Sequence, residues 1–462
     1  MTPSIRACRD WTAWRTRLLL VVAIGALIVS ACGGGPATGG STAGSSGPPI
    51  KLVYFNARSA DPVEQALVKK YETLHPNITI QYLSSTSLSG PSDTDAIANL
   101  IFNLKAHTTI DVAKVEVSRT PFDLMAAKDS ENLSTIDGPA VRSRLSQLQG
   151  ANMVDFANGV WALPYESDPF GYVYNGTMFQ QAGIKHAPTN WNEWRADNKQ
   201  LKQKFPTSWP ICAPIDNLAK TQPLVWGAGG TYWDKDVLPT KATFLNQGMK
   251  DAYGFMQEWA ANGWMNTSEI TTANQVQLMV SHKCAAMDFS ASFVQQLKLN
   301  DPSTNWGAAP IPAENASHQA ENYVGGSALA VPTTSKHPKQ ALDFILWLTS
   351  QQGQNLKWGV DKSLNLSETD ITNNQALPAS KGTAATLAKD PSWKESLATV
   401  HVPVRVSGIS PAYSDAYQLL ADMQQRILLK RTNVEGELTT TQQQVQQLID
   451  TSVQQNPSLY KR

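Results

Sequence analysis

The chain has 462 residues, more than a single hydrophobic core usually organises, so two lobes are expected. The 38 Lys and Arg residues balance the 38 Asp and Glu residues, which argues against nucleic acid or an anionic membrane surface as the partner. Apolar residues make up 42% of the chain, an ordinary share for a globular protein.

The N-terminus has the pattern of an export signal. Four arginines precede an apolar run at 18–29, which is short for a membrane span and typical of a secretory signal at 1–31. The small residues before Cys32 resemble a bacterial lipobox, in which the cysteine is lipidated and becomes the first residue of the mature protein. The alternative is an ordinary signal peptide with a chance cysteine.

A Gly/Ser/Pro-rich segment at 32–49 follows, and it favours the lipoprotein hypothesis because such a composition makes a flexible tether. We therefore expect an exported protein at the extracellular face of the cell membrane. Two acyl chains on Cys32 would make that anchoring stable.

Two further cysteines, Cys212 and Cys284, remain after the signal and the lipid site are set aside. In an oxidising compartment they can form a disulfide, or they can lie apart as two small buried thiols. The sequence has no CxxC pair and its seven His residues lack ligand spacing, so we expect neither a metal nor a cofactor.

From residue 51 onward, short apolar strands alternate with helical segments. Strands are predicted at 51–55, 78–83 and 108–117, and helices at 61–76 and 96–104. This β-α-β-α-β order predicts an α/β fold with a mostly parallel sheet and helices on both faces.

The predicted elements continue to the end of the chain. Later strands are predicted at "VWALPY", "GYVYN", "WPICAPI", "CAAMDF", "NWGAAPI" and "SALAV". A helix is predicted after Asn190, whose side chain can cap it while Glu193 reaches back. Further helices are predicted at "PKQALDFILWL" and "QQQVQQLIDTSV". Ligands of open α/β sheets bind beyond the carboxyl ends of strands, so two such lobes would enclose a cleft suited to binding.

Several motifs stand in one order along this chain: "YETLHPNITIQY", "GVWALPYESDPFGYVYNGTMFQQAGI" with "APTNWNEW", "WGAGGTYWDKD", "KCAAMDFSASF", "NWGAAPIP" and "NYVGGSALAVPTTSKHPKQALDFILWLTSQQGQ". Together with the lipobox they resemble the extracellular solute-binding lipoproteins of carbohydrate ABC importers, the family that includes maltose-binding protein. The resemblance runs from about Lys51 to the C-terminus.

The resemblance implies two doubly wound α/β lobes of the type II periplasmic-binding-protein kind, which close on ligand about a hinge. The first lobe would comprise 50–167 and 327–368, and the second 168–326 and 369–462. The crossovers would lie in "LPYESDPFGYVYN", near 323–330 and near 363–371. The implied protein is not an enzyme but a monomer that captures a sugar and delivers it to ABC permease subunits.

In such a cleft, carboxylates and amides bind sugar hydroxyls, and aromatic rings pack on the CH faces. The resemblance places contacts in both lobes and on the crossovers: Asn56, Arg58, Glu116, Ser118 and Arg119; Glu166 and Asp168; Asn217, Thr221, Gln222, Trp226, Trp233, Ser290 and Phe293; Gly325, Gly326 and Ser327; and Arg405 and Tyr413.

Each residue also has a structural alternative. An arginine on such a loop can form a surface ion pair, Trp226 can be core, and the carboxylates can serve the fold. Val115 and Ala219 stand where maltose-binding protein has aromatic residues, although Phe293 keeps one. A mono- or disaccharide, or a glycerophosphodiester, therefore fits better than a long maltodextrin.

Two other classes of protein remain open. A cell-surface glycoside hydrolase would need two carboxylates on either side of the scissile bond, for which Glu116 and Asp168 are candidates. A chemoreceptor or scaffold partner would bind the sugar without importing it.

Overall fold

The computed structural model describes residues 47–57, 61–88, 96–213, 218–265, 274–372, 376–405 and 407–461. The signal segment, Cys32 and most of the predicted tether lie outside the described residues, as do the predicted contacts Arg58 and Asn217. In the described part of the chain, no helix combines the length and apolar character that a membrane crossing requires.

The strands are β1 (Ile50–Asn56), β2 (Ile78–Ser84), β3 (Val112–Glu116), β4 (Asp155–Phe156), β5 (Gly159–Val160), β6 (Leu163–Asn175), β7 (Ala286–Ser290), β8 (Trp306–Ala309), β9 (Asn322–Ala330), β10 (Leu377–Pro378) and β11 (Val404–Arg405).

The helices are α1 (Pro62–Leu74), α2 (Ala96–Lys105), α3 (Thr120–Ala126), α4 (Leu133–Ser146), α5 (Gly176–Gln181), α6 (Trp191–Lys204), α7 (Gln222–Gly227), α8 (Gln247–Ala261), α9 (Gln275–Val280), α10 (Phe293–Asn300), α11 (Pro338–Leu348), α12 (Gln351–Lys357), α13 (Glu368–Thr372), α14 (Lys381–Leu387), α15 (Tyr413–Lys430), α16 (Val434–Gln455) and α17 (Pro457–Tyr460).

The predicted β-α-β-α-β start of the fold is confirmed. β1 pairs in parallel with β2 on one side and with β3 on the other. Beyond β3 the sheet becomes antiparallel, because β9 pairs with β3 and β6 pairs with β9 in that sense. The sheet as a whole is therefore mixed, where the sequence predicted a mostly parallel one.

β6 is one strand of 13 residues, where the sequence predicted two strands separated by a kink. Its first half pairs with β9 as far as Pro169, and its second half pairs with β7 and β8 from Phe170 onward. At the crossover, β7 and β8 replace β9 as the partners of β6, so the backbone of β6 stays paired. Pro164 and Pro169 therefore do not end the strand.

Two large apolar clusters lie on either side of this exchange. The first gathers β1, β3, α1 and α11 around side chains such as Tyr54 and Ile345. The second is built largely on α6, α8 and α15, and it contains the stacked rings of Trp191 and Phe255, whose centroids are 4.5 Å apart. These separate cores correspond to the two lobes that the chain length predicted.

The structure differs in part from two local predictions, the capping of α6 and the strand at "WPICAPI". Asn190 caps α6 by accepting from the N–H groups of Asn192 and Glu193, both at 3.0 Å. Glu193, however, accepts from Thr189 and not from the Asn190 backbone. In the described part of the predicted strand "WPICAPI", residues 209–213, the structure has an isolated bridge between Trp209 and Cys284 and no longer strand.

The segment after the predicted crossover at 363–371 has contacts with the strands and helices that precede it. β10 pairs with β6 at Ser167, and the N–H of Lys381 donates to the carbonyl of Gln147 in the first lobe at 3.0 Å. α14 then packs on α12. Further along the chain, β11 joins β9 next to Tyr323.

Candidate functional site

Asp168 lies where β6 passes from one lobe to the other. Its Oδ1 accepts hydrogen bonds from the Ser290 hydroxyl and, at 3.0 Å, from the Ser292 hydroxyl, both at the end of β7. Opposite it on β9 stands Gly325, where a Cβ would come to 3.9 Å from the Asp168 carboxylate.

A second carboxylate, Glu116, lies at the end of β3. Its oxygens accept from the N–H groups of Ser118 (2.7 Å) and Arg119 (3.0 Å), just before α3 begins. Burial raises the pKa of Glu116, although these hydrogen bonds favour its ionised form and oppose the shift.

Arg119 also pairs with Asp123 one turn further along, at 2.8 Å from Nε to Oδ2. Burial raises the pKa of Asp123 to about 6; Arg119 opposes this increase and Glu116 adds to it. The Arg119 guanidinium therefore lies near two carboxylates, those of Glu116 and Asp123. We call the surface formed by these three residues the first-lobe wall.

Aromatic side chains link this wall to the second lobe. The hydroxyl of Tyr323 on β9 donates to the Ser118 hydroxyl at 2.8 Å, and its ring lies 5.2 Å from that of Phe170. The Arg119 guanidinium lies 5.3 Å from the ring centroid of Tyr413, which neighbours Tyr417 on α15. The strand ends of one lobe and a helix of the other thus come into contact here.

The second-lobe wall is built around Arg405 of β11. Its Nε lies 3.1 Å from both carboxylate oxygens of Asp236, and its Nη1 lies 3.4 Å from Glu321. The guanidinium lies 5.6 Å from the ring centroid of Trp226 on α7. Gln222 is one turn earlier on α7, and its buried Oε1 accepts no hydrogen bond from the described residues.

Four other predicted contacts are placed deeper in the structure. The Asn56 amide donates to the Tyr82 hydroxyl at 2.8 Å, and the Thr221 hydroxyl donates to Gln424 at 2.6 Å. Trp233 is buried, and its indole N–H donates to Ser407 at 2.8 Å. Phe293 packs on the apolar cluster around the cysteines. These side chains support the walls of the cleft.

Glu166 departs from the expectation that it lines the cleft. It is buried, and its Oε1 lies 2.8 Å from Lys114 and 3.0 Å from Lys357, two cations of the first lobe. Its other oxygen accepts from Ser327 at 2.6 Å, so Ser327 is directed to the same place. A buried charge that is paired in this way serves the fold.

Gly326 is also required by the backbone geometry of the crossover. Its φ of 112° lies in the region that favours glycine, and a Cβ there would come to 2.3 Å from the Glu166 carbonyl oxygen. The glycine lets β9 approach β6 closely at the crossover.

The structure joins Cys212 and Cys284 in a disulfide, with their Cα atoms 5.8 Å apart. The Cys212 carbonyl accepts from the Gln275 amide at 2.6 Å, and the Gln275 Oε1 in turn accepts from Lys220. The disulfide and these hydrogen bonds thus connect Cys212 to Cys284, to Gln275 on α9 and, through Gln275, to Lys220 just before α7.

Sequence reasoning missed several residues of the cleft: Asp123, Asp236, Ser292, Glu321, Tyr323 and Tyr417. Two of them carried a readable signal, because Asp123 is four residues after Arg119 and Tyr417 is four residues after Tyr413, a spacing that places side chains on one helix face. Asp236 and Glu321 reach Arg405 only through tertiary structure.

The cleft therefore offers carboxylates, serine hydroxyls and aromatic rings to a ligand between two lobes. Among the described side chains, no three or more His, Cys, Asp or Glu residues are grouped as metal ligands.

A family described as bacterial extracellular solute-binding protein matches residues 56–355. The chain belongs to this family. It is a solute-binding protein and not an enzyme, which removes the glycoside hydrolase alternative.

Relatives of known name support the same assignment. A multiple sugar-binding protein of Streptococcus mutans serotype c is 20% identical over 364 residues, which are 75% of this chain and 81% of that protein. The sugar-binding protein MalE of Xanthomonas citri shares the fold with a TM-score of 0.72 at 17% identity, over 87% of this chain and 98% of its own.

UgpB of Mycobacterium tuberculosis, solved in complex with glycerophosphocholine, has a TM-score of 0.69 at 18% identity, over 88% of this chain and 100% of its own. At such low identity these structures show a common fold, and the predicted type II periplasmic-binding-protein fold is confirmed.

Proposed function

We propose that this solute-binding protein captures a mono- or disaccharide between its lobes and delivers it to the permease subunits of an ABC importer. The observation that carries the proposal is the position of Asp168 on the crossover strand, hydrogen-bonded to second-lobe serines. A ligand bound there would contact the hinge itself, so binding and lobe closure would be coupled.

The chemistry of the cleft supports a sugar. Ionised carboxylates such as Asp168 and Glu116 accept hydrogen bonds from hydroxyl groups. The half-buried ring of Tyr413 offers an apolar face to the CH groups of a pyranose, whereas Trp226 is buried in the second core. The names of the Streptococcus mutans relative and of MalE point to the same class of ligand.

We further propose where the lobes divide. The first lobe would comprise 50–167 and 327–387, and the second 168–326 and 388–461. This extends the first lobe beyond the predicted residue 368, because β10 and α14 pack on β6 and α12.

Anchoring by lipid at Cys32 and a monomeric state complete the proposal. The lipobox-like residues before Cys32 and the Gly/Ser/Pro-rich segment after it support the anchor. An anchored monomer could present its ligand to the membrane subunits without diffusing away.

A glycerophosphodiester is the second candidate ligand. The observation that favours it is the shared fold with UgpB, which was solved with glycerophosphocholine. Arg119 and Arg405 provide positive charge for a phosphate, but each already faces two carboxylates.

A thermal-shift screen of the purified protein across mono- and disaccharides, sugar acids and glycerophosphodiesters tests the proposal, because a ligand that binds only the folded state raises the melting temperature. Calorimetry then confirms each hit, and chromatography of the bound sugar shows whether it is unchanged. Stabilisation by no sugar would contradict the proposal, and stabilisation by a glycerophosphodiester alone would favour the second candidate. Neighbouring permease genes would distinguish import from sensing.

A further inference from the structure

The two walls of the cleft share one electrostatic feature. On the first-lobe wall, Arg119 pairs with Asp123, while Glu116 lies beside it and accepts hydrogen bonds from Ser118 and from the Arg119 N–H. On the second-lobe wall, Arg405 lies between Asp236 and Glu321. Each wall therefore has one guanidinium and two carboxylates, which leaves one negative charge in excess when the carboxylates are ionised.

The aromatic rings of the cleft already hold cations. Arg119 lies over the ring of Tyr413 at 5.3 Å, and Arg405 lies over that of Trp226 at 5.6 Å. Ring faces attract cations through their quadrupole, so the half-buried ring of Tyr413 suits an ammonium group as well as the CH face of a sugar.

A third observation concerns hydrogen-bond acceptors. Gln222 is 2% exposed, and its Oε1 has no donor among the described residues. It lies four residues before Trp226 on α7, so the two side chains share one helix face, and that face meets Arg405. A buried acceptor without a donor is costly, and a donor from a ligand would satisfy it.

From these three features we propose that the cleft selects a sugar that carries a protonated amine, such as an amino sugar, over the neutral sugar with the same skeleton. The proposal rests on the proposed function and specifies its ligand. An ammonium group has three donors and no acceptor, which matches a cleft with excess carboxylates and an unsatisfied amide oxygen. Replacing a neutral hydrogen bond by a charge-assisted one is expected to tighten binding roughly 10- to 100-fold.

The test uses matched sugars and isothermal calorimetry at pH 7 in low salt. Glucose, glucosamine and N-acetylglucosamine form one set, and their β-1,4-linked dimers form a second. In each set the skeleton is constant, and only the middle member carries a positive charge. The expected result is the tightest binding for the charged member, with a preference that weakens as salt is added because screening reduces the attraction.

Two variants test which side chains produce the preference for a protonated amine. Glu321→Gln removes the excess charge of the second-lobe wall and should lower the ratio of amine to neutral affinity by roughly 3- to 10-fold. Asp450→Asn, an exposed change on α16, should leave both affinities as they are. Melting temperatures of both variants show that a changed ratio does not come from a damaged fold.

The outcomes separate the two proposals. If the neutral member binds as tightly as the charged one, or if only neutral sugars from the wider screen bind, the amine preference is overturned and the proposed function stands. An unchanged ratio in Glu321→Gln also overturns the electrostatic assignment. If no sugar of any kind binds, the proposed function itself fails.

Discussion

Glu166 and Asp168 lie two residues apart on β6, yet they bind to different lobes. Glu166 is held by Lys114 and Lys357 of the first lobe, whereas Asp168 accepts from serines at the end of β7 in the second. The change of partner strand between Pro169 and Phe170 marks the boundary. One carboxylate therefore secures β6 to the first lobe, and its neighbour contacts the second.

The environment of Glu166 is a buried ionic quartet, which consists of Glu64, Lys114, Glu166 and Lys357. Lys114 lies 3.0 Å from Glu64, and Lys357 lies 2.6 Å from the same oxygen. Burial alone would raise the pKa of Glu64, but the two lysines hold it at about 2. The quartet is electrically balanced, which is the condition for charges to persist inside a protein.

Glu166→Gln should therefore destabilise the protein. The change leaves two buried lysines with only Glu64 as counter-charge, and breaking a buried pair in this way costs about 3–5 kcal/mol. Urea unfolding followed by circular dichroism measures the loss. The exposed Asp450→Asn should unfold like the wild type. An unchanged free energy of unfolding for Glu166→Gln would show that the quartet is not ionised as described.

Asp168→Asn should act on binding and not on stability. The variant keeps the shape of the side chain but loses the charge, and it turns one acceptor into a donor. We expect binding of the cognate sugar to weaken about 10- to 100-fold, equivalent to roughly 1.4–2.7 kcal/mol, with little change in the melting temperature of the ligand-free protein. Calorimetry provides the measurement. Unchanged affinity together with a markedly lower melting temperature would assign Asp168 to the fold.

The Cys212–Cys284 disulfide closes a sequence separation of 72 residues. Its removal in the double variant Cys212→Ser/Cys284→Ser should lower the free energy of unfolding by about 2–4 kcal/mol, since the unfolded chain loses a constraint. Peptide mapping without reduction should find the peptide of Cys212 linked to that of Cys284. Two free thiols at these positions would contradict the pairing.

Asp288 on β7 predicts a pH dependence of stability. It is fully buried, and neither carboxylate oxygen has a hydrogen-bond partner among the described residues. Burial raises the pKa of Asp288 to about 8, against the opposing effect of Lys220. Between the unfolded pKa near 4 and pH 8, the folded state keeps a proton that the unfolded state releases. Stability therefore falls as pH rises through this window, by at most ~1.4 kcal/mol per unit.

Asp288→Asn removes this titration and should be more stable than the wild type at pH 8. Urea unfolding at intervals from pH 4 to pH 9 should show a shallower decline for the variant. Asp450→Asn serves again as the exposed control. Parallel curves for Asp288→Asn and the wild type would indicate that Asp288 is ionised beside Lys220 throughout the range.

Cys32→Ala tests the anchor. If Cys32 carries the lipid, the variant should appear in the medium or accumulate as an unprocessed precursor, because the acyl chains that hold the protein are missing. Cell fractionation and N-terminal processing of the product give the answer. A variant that is cleaved normally and still sediments with membranes would contradict the lipoprotein hypothesis.

The sequence was most informative where a local pattern is sufficient. Helical spacing and a proline at the first turn predicted α11 with the bounds that the structure shows, and alternation of strand and helix predicted β1, α1, β2 and α2 closely. The sequence-based prediction failed at β6, where it placed two separate strands in a segment that contains Pro164 and Pro169. Tertiary pairing with β9, β7 and β8 keeps this segment one continuous strand.

Among the predicted site residues, the structure has Glu116 at the end of β3 and Asp168 where β6 exchanges its partner strands, which are the positions in the fold that the sequence predicted for them. The sequence-based prediction placed Glu166 in the same cleft as Asp168, since both stand in the same acidic stretch. The difference lies in partners that are distant in sequence: Lys357 is nearly two hundred residues from Glu166, and Ser290 is more than one hundred from Asp168.

The sequence by itself determined the class of fold, the separation into two cores and the family, because apolar periodicity, cap residues and the order of motifs are local properties of the chain. Only the tertiary structure decided which carboxylates are neutralised inside a lobe and which face the cleft. Electrostatic pairing depends on distance in space, and the crossover strand, which exchanges its partners between Pro169 and Phe170, places neighbouring residues in different surroundings.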